Sequence, residues 1–170
     1  FQSEHSFTAF IAQPGYGKTI LLSHLAESFA RNSTSTYRDS AILFLQAYSF
    51  FNLENPTFNF EDLLKAVLNI PKRDSLMTYI EDNYKKTKGK LVIVLDSFSE
   101  LPLKKDSMKQ LFESIINFIC AIEHMNSIKL VISMRSATWS CFYDLFRHSA
   151  YLKAKWFPGN YFNINEPSNV

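Results

Sequence analysis

A glycine-containing turn followed by lysine and threonine is the segment of this chain best suited to chemistry. The segment from Ala12 to Thr19 reads AQPGYGKT, and it stands between an apolar run and a helical pattern. Gly15 and Gly17 allow successive backbone N–H groups to turn toward one anion, and the positive end of the following helix points to the same place. Lys18 adds a cation for β- and γ-phosphates, and the hydroxyl of Thr19 is a ligand for Mg²⁺. The segment therefore predicts a site for nucleotide phosphates.

One position departs from the usual phosphate-loop pattern, because Ala12 stands where that pattern begins with glycine. Alanine fits there in ordinary extended geometry, whereas a required positive φ would be an objection. A glycine turn that arose by chance is the alternative, and the strand and helix patterns on either side argue against it. We expect the nucleotide to be contacted by Gln13, Pro14, Gly15, Tyr16, Gly17, Lys18, Thr19 and Ile20.

A carboxylate follows the clearest strand pattern in the sequence. Residues 91–96 read LVIVLD, an apolar run that ends in Asp96. The carboxyl ends of parallel strands meet at one edge of a sheet, which is also where a phosphate loop lies. Asp96 is therefore predicted to hold Mg²⁺ together with Thr19. An aspartate that only forms the turn after the strand is the alternative.

Two further charged residues complete a predicted catalytic set of Lys18, Asp96, Glu100 and Arg135. Glu100 lies in the loop after Asp96, where it can orient or deprotonate an attacking water. A solvated loop carboxylate is the other interpretation of Glu100. Arg135 follows the apolar run at residues 128–133, and a cation at the end of that strand would reach the γ-phosphate. An arginine at an unrelated strand end would have no such role.

An α/β domain with a mainly parallel sheet would bring these residues to one edge. Apolar runs predict strands at residues 7–12, 41–47, 90–96 and 128–133, and a weak fifth strand at 161–164. Helical spacing and capping residues predict helices at 19–30, 59–71, 76–89, 107–124 and 138–146. The second run is continuously apolar, which predicts a strand buried on both faces. Strands that alternate with helices indicate the α/β class.

Length and composition indicate one globular domain over residues 1–170. The chain is 46% hydrophobic with 16 Phe, 8 Tyr and 2 Trp, which excludes disorder driven by high charge and low hydrophobicity. A net charge of +2 excludes binding of nucleic acid or membranes by bulk electrostatics. Cys120 and Cys141 lie in apolar stretches and are predicted to be buried thiols of a cytoplasmic protein. The chain starts at Phe1 and residues 167–170 lack a helix or strand signal, so we expect a fragment of a longer polypeptide.

Three segments in this order and spacing, QPGYGKT, LVIVLDSFSE and LVISMR, resemble the nucleotide-binding domain of the STAND class of P-loop ATPases. The resemblance covers residues 7–164 and is to the NACHT-like signalling ATPases in particular. It implies a parallel five-stranded sheet of order 5-1-4-3-2 flanked by helices. By this likeness Asp96 matches the magnesium aspartate, Glu100 the last acidic residue of an extended acidic motif, and Arg135 the phosphate-sensing arginine. Ser99 stands where the family usually has a second aspartate, which counts against efficient hydrolysis.

The same resemblance implies a switch domain that binds ATP or ADP with Mg²⁺ and is a weak ATPase. Nucleotide would control homo-oligomerisation of the full-length protein, in innate immunity, cell death or anti-phage defence. The partners it implies are the helical, winged-helix and sensor regions that follow this domain in family members. Adenine is expected because the Asn-Lys-x-Asp signature of GTPases is absent. No membrane partner is expected, and the short basic aromatic stretch at 151–157 is weak support for a nucleic-acid role.

Other functions stay open from the sequence alone. A nucleotide-binding module that does not hydrolyse differs from the ATPase only in the rate of γ-phosphate loss. A small P-loop kinase is the alternative of another class, but many such kinases bind substrate with an acidic residue near the second strand, and residues 45–48 (LQAY) contain none. The aromatic connector at 48–60 either packs over the sheet edge or forms a partner surface.

Overall fold

Strands and helices alternate along the chain from its first strand onward. The structure is a computed structural model and describes residues 5–31, 39–50, 59–84, 89–148 and 161–163. The elements in order are β1 (Phe7–Ile11), α1 (Lys18–Arg31), β2 (Ala41–Gln46), α2 (Ala47–Phe50), α3 (Phe60–Val67), α4 (Leu76–Tyr84), β3 (Leu91–Asp96), a 3₁₀ turn (Phe98–Glu100), α5 (Lys105–Ile122), β4 (Ile128–Met134), α6 (Ser136–His148) and β5 (Tyr161–Asn163). The predicted α/β class is confirmed.

The sheet is parallel and has the strand order β2-β3-β4-β1-β5. Read from the other edge, this is the order 5-1-4-3-2 that the family resemblance implied. Four strands of five to seven residues form the body of the sheet. β5 has only three residues and pairs with β1. The order places the carboxyl ends of β1, β4 and β3 side by side.

The two central strands are buried along their whole length, as their continuous apolar sequences predict. One face of the sheet packs on α3, α4, α5 and α6, and this larger core includes the α5 stripe Leu111, Ile115, Ile119 and Ile122. The other face packs on α1, where Leu22 contacts a smaller cluster that includes Val94 and Val131. Helices on both faces explain why β3 and β4 carry so few polar residues.

β2 corrects one prediction, because its residues are half-buried and Gln46 at its end is exposed. Among the described strands β2 pairs only with β3, so it is an edge strand whose outer side has no neighbouring strand. The expectation that residues 41–47 form a strand buried on both faces is therefore wrong. Composition alone does not separate an apolar edge strand from a central one.

α3 begins where its capping residue predicted. The Asn59 side chain accepts hydrogen bonds from the backbone N–H groups of Glu61 and Asp62, at 3.1 and 3.3 Å, which satisfies two donors of the first turn. The backbone N–H of Phe60 donates to Ser114 Oγ of α5 at 2.8 Å. The bond from Phe60 to Ser114 ties the start of α3 to α5, and the Phe60 ring packs edge-on against Phe118 of α5 with a centroid distance of 5.1 Å.

Cys141 corrects a second prediction, because this thiol is exposed, while Cys120 is half-buried. Phe142 and Phe146 of α6 are buried, at 0% and 1% exposure, and residues four apart lie on one face of a helix. Neighbouring residues of a helix point in directions about 100° apart, so Cys141, next to Phe142, lies off the buried face and toward solvent.

Several sequence-based predictions fall on segments outside the described residues. These are most of the connector at 48–60, the basic aromatic stretch at 151–157, the last residue of the predicted fifth strand and the C-terminal residues 167–170. Among the described residues, no helix has both the length and the apolar composition that crossing a membrane requires.

Candidate functional site

The phosphate-loop segment connects the end of β1 to the start of α1. Gly15 and Gly17 have φ angles of +83° and +71°, a backbone conformation that glycine adopts without strain. A Cβ at either position would have no atom within 4 Å, so glycine is required there for its backbone conformation and not for space. Among the described residues, the positive-φ positions other than glycine are Asn69 and Ser97. Ala12 is not one of them, so alanine fits the first position of the pattern.

The Lys18 ammonium lies against the loop itself. Its Nζ donates to the carbonyl oxygens of Ala12 and Gln13, at 3.1 and 3.0 Å. Burial lowers the pKa of Lys18 below its ordinary value, and the nearby Arg135 charge lowers it further, while Asp96 and Glu100 act in the opposite direction. The four predicted catalytic residues therefore share one electrostatic neighbourhood.

One cavity of about 380 Å³ adjoins this loop. Its lining comes from the loop and α1 (Pro14, Gly15, Gly17, Lys18, Thr19 and Ile20), from the end of β3 and the following turn (Asp96, Ser97, Ser99 and Glu100), and from the end of β4 (Ser133, Met134 and Arg135). The structure thus brings Lys18, Thr19, Asp96, Glu100 and Arg135 to a single cavity. The parallel sheet does this because the ends of β1, β3 and β4 meet at one edge.

Two of the eight residues expected to contact nucleotide do not line the cavity. Gln13 contributes its backbone carbonyl to Lys18, and the Tyr16 side chain is largely exposed, at 57%. Ile20 does line the cavity, although it is 65% exposed. An exposed isoleucine at the wall of a cavity is an apolar surface of the kind that a flat ligand ring can contact.

Asp96 is fully buried, at 0% exposure, and lies at the wall of the same cavity. Its Oδ1 accepts a hydrogen bond from the Ser133 hydroxyl, and its Oδ2 accepts one from the Ser97 hydroxyl at 3.2 Å. The backbone N–H of Ser97 in turn donates to Ser133 Oγ at 3.0 Å. Carboxylate and hydroxyl oxygens are the ligands that Mg²⁺ prefers, so Asp96 and Thr19, which share this cavity, fit the predicted metal pair.

Glu100 and Arg135 are paired with each other. Arg135 Nη2 lies 3.1 Å from Glu100 Oε1, and both side chains are about half exposed. The backbone N–H of Arg135 also donates to Ser99 Oγ at 2.6 Å. The two groups predicted to act on water and on the γ-phosphate therefore form an ion pair at the cavity wall.

Sequence reasoning missed the serine partners Ser97 and Ser133 and the hydrogen bond that Ser99 accepts from Arg135. A signal for Ser133 was present, because a hydroxyl one residue before the end of an apolar strand is unusual in a central strand. Leu95 pairs with Ile132 in the β3–β4 register, so the next residues on these strands, Asp96 and Ser133, are neighbours. For Ser97, the left-handed backbone that positions it leaves no sequence pattern, since serine is not a residue that such a conformation selects.

Comparison with known proteins gives one family and several similar folds. A family model described as NACHT domain matches residues 8–161. No curated protein matches the chain in sequence. The Aeropyrum pernix ORC2 protein, solved as ADPNP–ADP complexes, is similar with a TM-score of 0.50 at 13% identity, over 94% of this chain and 41% of that one.

Two further solved structures are similar at lower scores. The Escherichia coli MS115-1 HORMA:CdnC:Trip13 complex has a TM-score of 0.48 at 13% identity, over 79% of this chain and 43% of that one. Drosophila ORC bound to poly(dA/dT) DNA and Cdc6 has a TM-score of 0.45 at 16% identity, over 95% of this chain and 25% of that one. At such identities the likeness concerns the fold alone, and this chain spans less than half the length of each of these chains.

Proposed function

Because the chain belongs to the NACHT domain family, whose model covers residues 8–161, we propose that it binds ATP or ADP with Mg²⁺ and hydrolyses ATP slowly. Binding of a nucleotide by a P-loop domain follows from the family. The single observation that supports ATP hydrolysis with Mg²⁺ is the cavity that Lys18, Thr19, Asp96, Glu100 and Arg135 line together. Each of these residues has a chemical role that a nucleoside triphosphate would use.

Phosphate binding is the proposed task of the loop and Lys18. Backbone N–H groups of a glycine-rich loop and the start of α1 attract an anion. The Lys18 ammonium would exchange the carbonyl oxygens of Ala12 and Gln13 for phosphate oxygens, which are charged and therefore stronger acceptors. Thr19 and Asp96 would hold Mg²⁺, which neutralises charge on the transferred phosphoryl group.

Glu100 and Arg135 are proposed to act on the γ-phosphate end of the nucleotide. Glu100 would orient the attacking water, and Arg135 would bind the γ-phosphate and so distinguish ATP from ADP. Their mutual ion pair has to open, or to turn as a unit, before either group reaches the nucleotide. An exposed pair of this kind contributes only about 0–1 kcal/mol, so nucleotide binding can open it.

The wider role we propose is a conformational switch, on the grounds of the family. Residues 1–170 would be one NACHT-like domain of a longer cytoplasmic protein of the STAND type. Nucleotide would control its homo-oligomerisation in innate immune or anti-phage signalling, together with helical, winged-helix and sensor regions. Moving a two-state switch from 1:99 to 99:1 takes about a 10⁴-fold preference for one state. Contacts outside this domain would supply part of that preference.

A nucleotide-binding module without hydrolysis is the second candidate, and the Glu100–Arg135 ion pair favours it. While this pair is closed, the Glu100 carboxylate is bound to the Arg135 guanidinium and is not available to an attacking water. A small P-loop kinase has no such support from the cavity.

Thermal unfolding with added nucleotides tests the proposal. We expect ATP and ADP with Mg²⁺ to raise Tm and GTP to raise it less. A ligand at 100 times its Kd stabilises by about 2.7 kcal/mol, which at about 2–4 °C per kcal/mol for a domain of this size is about 5–10 °C. Phosphate release measured in the same samples separates the two candidates: slow release supports the ATPase, and none supports the binding module. No rise in Tm with any nucleotide would contradict both.

A further inference from the structure

The Asp96 carboxylate is held by two hydroxyl groups whose hydrogen-bond directions are defined. A backbone N–H can only donate, so the bond from Ser97 N to Ser133 Oγ makes the Ser133 oxygen an acceptor. The single hydroxyl proton of Ser133 is then left for Asp96 Oδ1. The Ser97 hydroxyl donates to Oδ2. Both carboxylate oxygens are thereby fixed by separate donors.

The two serines belong to different elements and reach Asp96 for different reasons. Ser133 is the residue before the last in β4 and is fully buried, on the strand next to Asp96. Ser97 directly follows β3 and has φ +57° and ψ +31°. This left-handed residue turns the chain at the end of the strand, so that the backbone N–H and the hydroxyl of Ser97 both point back to the Asp96–Ser133 pair. The arrangement ties the ends of β3 and β4 together beside the phosphate loop.

We propose that Ser133 and Ser97 are positioning residues that orient Asp96 for the metal ion of a bound nucleotide. This inference rests on the proposed function, in which Asp96 is the Mg²⁺ carboxylate. A carboxylate has about four lone-pair sites on its two oxygens. One hydroxyl on each oxygen stops rotation about the last side-chain torsion and leaves acceptor capacity at the cavity wall.

A group that orients a metal ligand through a hydrogen bond has a measurable effect on metal affinity. Loss of a hydrogen-bond partner of a metal ligand typically lowers metal affinity about 10–100-fold. The phosphate contacts of Lys18 and the loop do not pass through the serines. Removing a serine hydroxyl should therefore weaken the Mg²⁺-dependent part of ATP affinity and leave the part measured without metal unchanged. A serine that only satisfies a buried carboxylate would alter stability and not this ratio.

The experiment compares the Kd of ATP in Mg²⁺ with its Kd in EDTA, by equilibrium titration, for wild type and Ser133→Ala. The ratio of the Kd in EDTA to the Kd in Mg²⁺ measures the contribution of the metal ion to ATP binding. We expect Ser133→Ala to reduce this ratio at least about tenfold, with the Kd in EDTA within about twofold of wild type. Ser133→Thr keeps the hydroxyl on a side chain that strands accommodate and should restore the ratio.

Two control variants separate this effect from general destabilisation. Val131→Ala leaves a cavity at a buried position on the same face of β4, and its ratio should be that of wild type although its Tm falls. Ser140→Ala removes a hydroxyl that donates to the Ser136 carbonyl at 3.1 Å on α6, and Ser140 does not line the cavity. It should change neither the ratio nor the Tm appreciably.

Ser97 supplies a second test that does not depend on how well Ser133 variants fold. Glycine suits a φ of +57° and alanine does not, so Ser97→Gly should melt higher than Ser97→Ala. Both remove the donor to Oδ2, and both should lower the Mg²⁺ ratio by a similar factor. If Ser97→Gly and Ser97→Ala lose the same part of the Mg²⁺ ratio although their Tm values differ, the loss comes from the missing hydroxyl and supports the positioning role.

The results of these titrations distinguish failure of the positioning role from failure of the proposed function. Wild-type protein that binds ATP more tightly with Mg²⁺, together with unchanged ratios in Ser133→Ala and Ser97→Gly, would overturn the positioning role alone. Wild-type protein that binds no ATP, or binds it equally well in EDTA, would overturn the proposed function, and the positioning role with it.

Discussion

The guanidinium of Arg135 lies 3.1 Å from the carboxylate of Glu100, Nη2 to Oε1, at the wall of the cavity that both residues line. The pair joins the end of β4 to the turn after β3. Ser99 strengthens this link, because its hydroxyl accepts the backbone N–H of Arg135. Each charged group is therefore available to a nucleotide only when the other is displaced or moves with it.

Replacing Glu100 by glutamine tests its role in turnover. The amide keeps a hydrogen-bond acceptor for Arg135 and removes the base, so ATP affinity and Tm should stay close to wild type while phosphate release slows at least about tenfold. Single-turnover phosphate release at saturating ATP is the measurement. Equal rates in the two proteins would remove Glu100 from the mechanism.

Replacing Arg135 by alanine tests recognition of the γ-phosphate. A hydrogen bond to a charged group contributes about 1.5–3 kcal/mol, so ATP should bind about 10–100-fold more weakly while the Kd of ADP stays within about twofold. Parallel titrations with ATP and ADP measure this difference, and Arg135→Lys, which keeps the charge, should fall between the two proteins. A variant that loses affinity for both nucleotides equally would show that Arg135 does not sense the γ-phosphate.

Lys129, which does not line the cavity, should make the stability of the protein depend on pH. This residue of β4 is 2% exposed, and burial, with a smaller effect of the Lys90 charge, lowers its pKa to about 8. The unfolded chain then binds more protons than the folded one between about pH 8 and the ordinary lysine value near 10.4, so the free energy of unfolding rises with pH in this window. Below pH 8 the cost of the buried charge is present in full.

The matched variant is Lys129→Met, which keeps the length of the side chain and removes the charge. Between pH 8 and 10, the free energy of unfolding of the wild-type protein should rise by about 1–3 kcal/mol relative to that of this variant. Thermal unfolding of both proteins across that range measures this difference. The contributions of titratable groups that both proteins share cancel in it. Parallel stability curves would show that Lys129 keeps an ordinary pKa in the fold.

Most of the strands and helices were predictable from local patterns, but α2 (Ala47–Phe50) was not, because it lies where the sequence predicted the end of a strand and a connector. Apolar runs gave β1, β3 and β4 to within about two residues, and Asn59 gave the start of α3 through its capping geometry. The apolar run of β2 carries no information about which strands neighbour it, and its edge position follows only from the strand order 5-1-4-3-2 that the family resemblance implied. The exposure of Cys141 depends on which face of α6 is buried, and the apolar composition of that segment does not show this.

The candidate site was predictable where it depends on the ends of parallel strands. Such ends meet at one edge, so Lys18, Asp96 and Arg135 could be placed together from the sequence alone. The contacts of Ser97 and Ser133 depend on a positive φ and on the register between β3 and β4. The Glu100–Arg135 ion pair depends on side-chain torsions in a loop, which local sequence does not determine.

Equilibrium titration of ATP with Mg²⁺ into wild-type protein and Lys18→Ala tests the central claim most directly. Lys18 is the one side chain of the loop with a charge for phosphate, so the variant should show no measurable binding while wild type binds. Lys109→Ala removes an exposed lysine of α5, 3.9 Å from Glu113, and should bind as wild type does. Affinity retained by Lys18→Ala would contradict the assignment of this loop as the phosphate site.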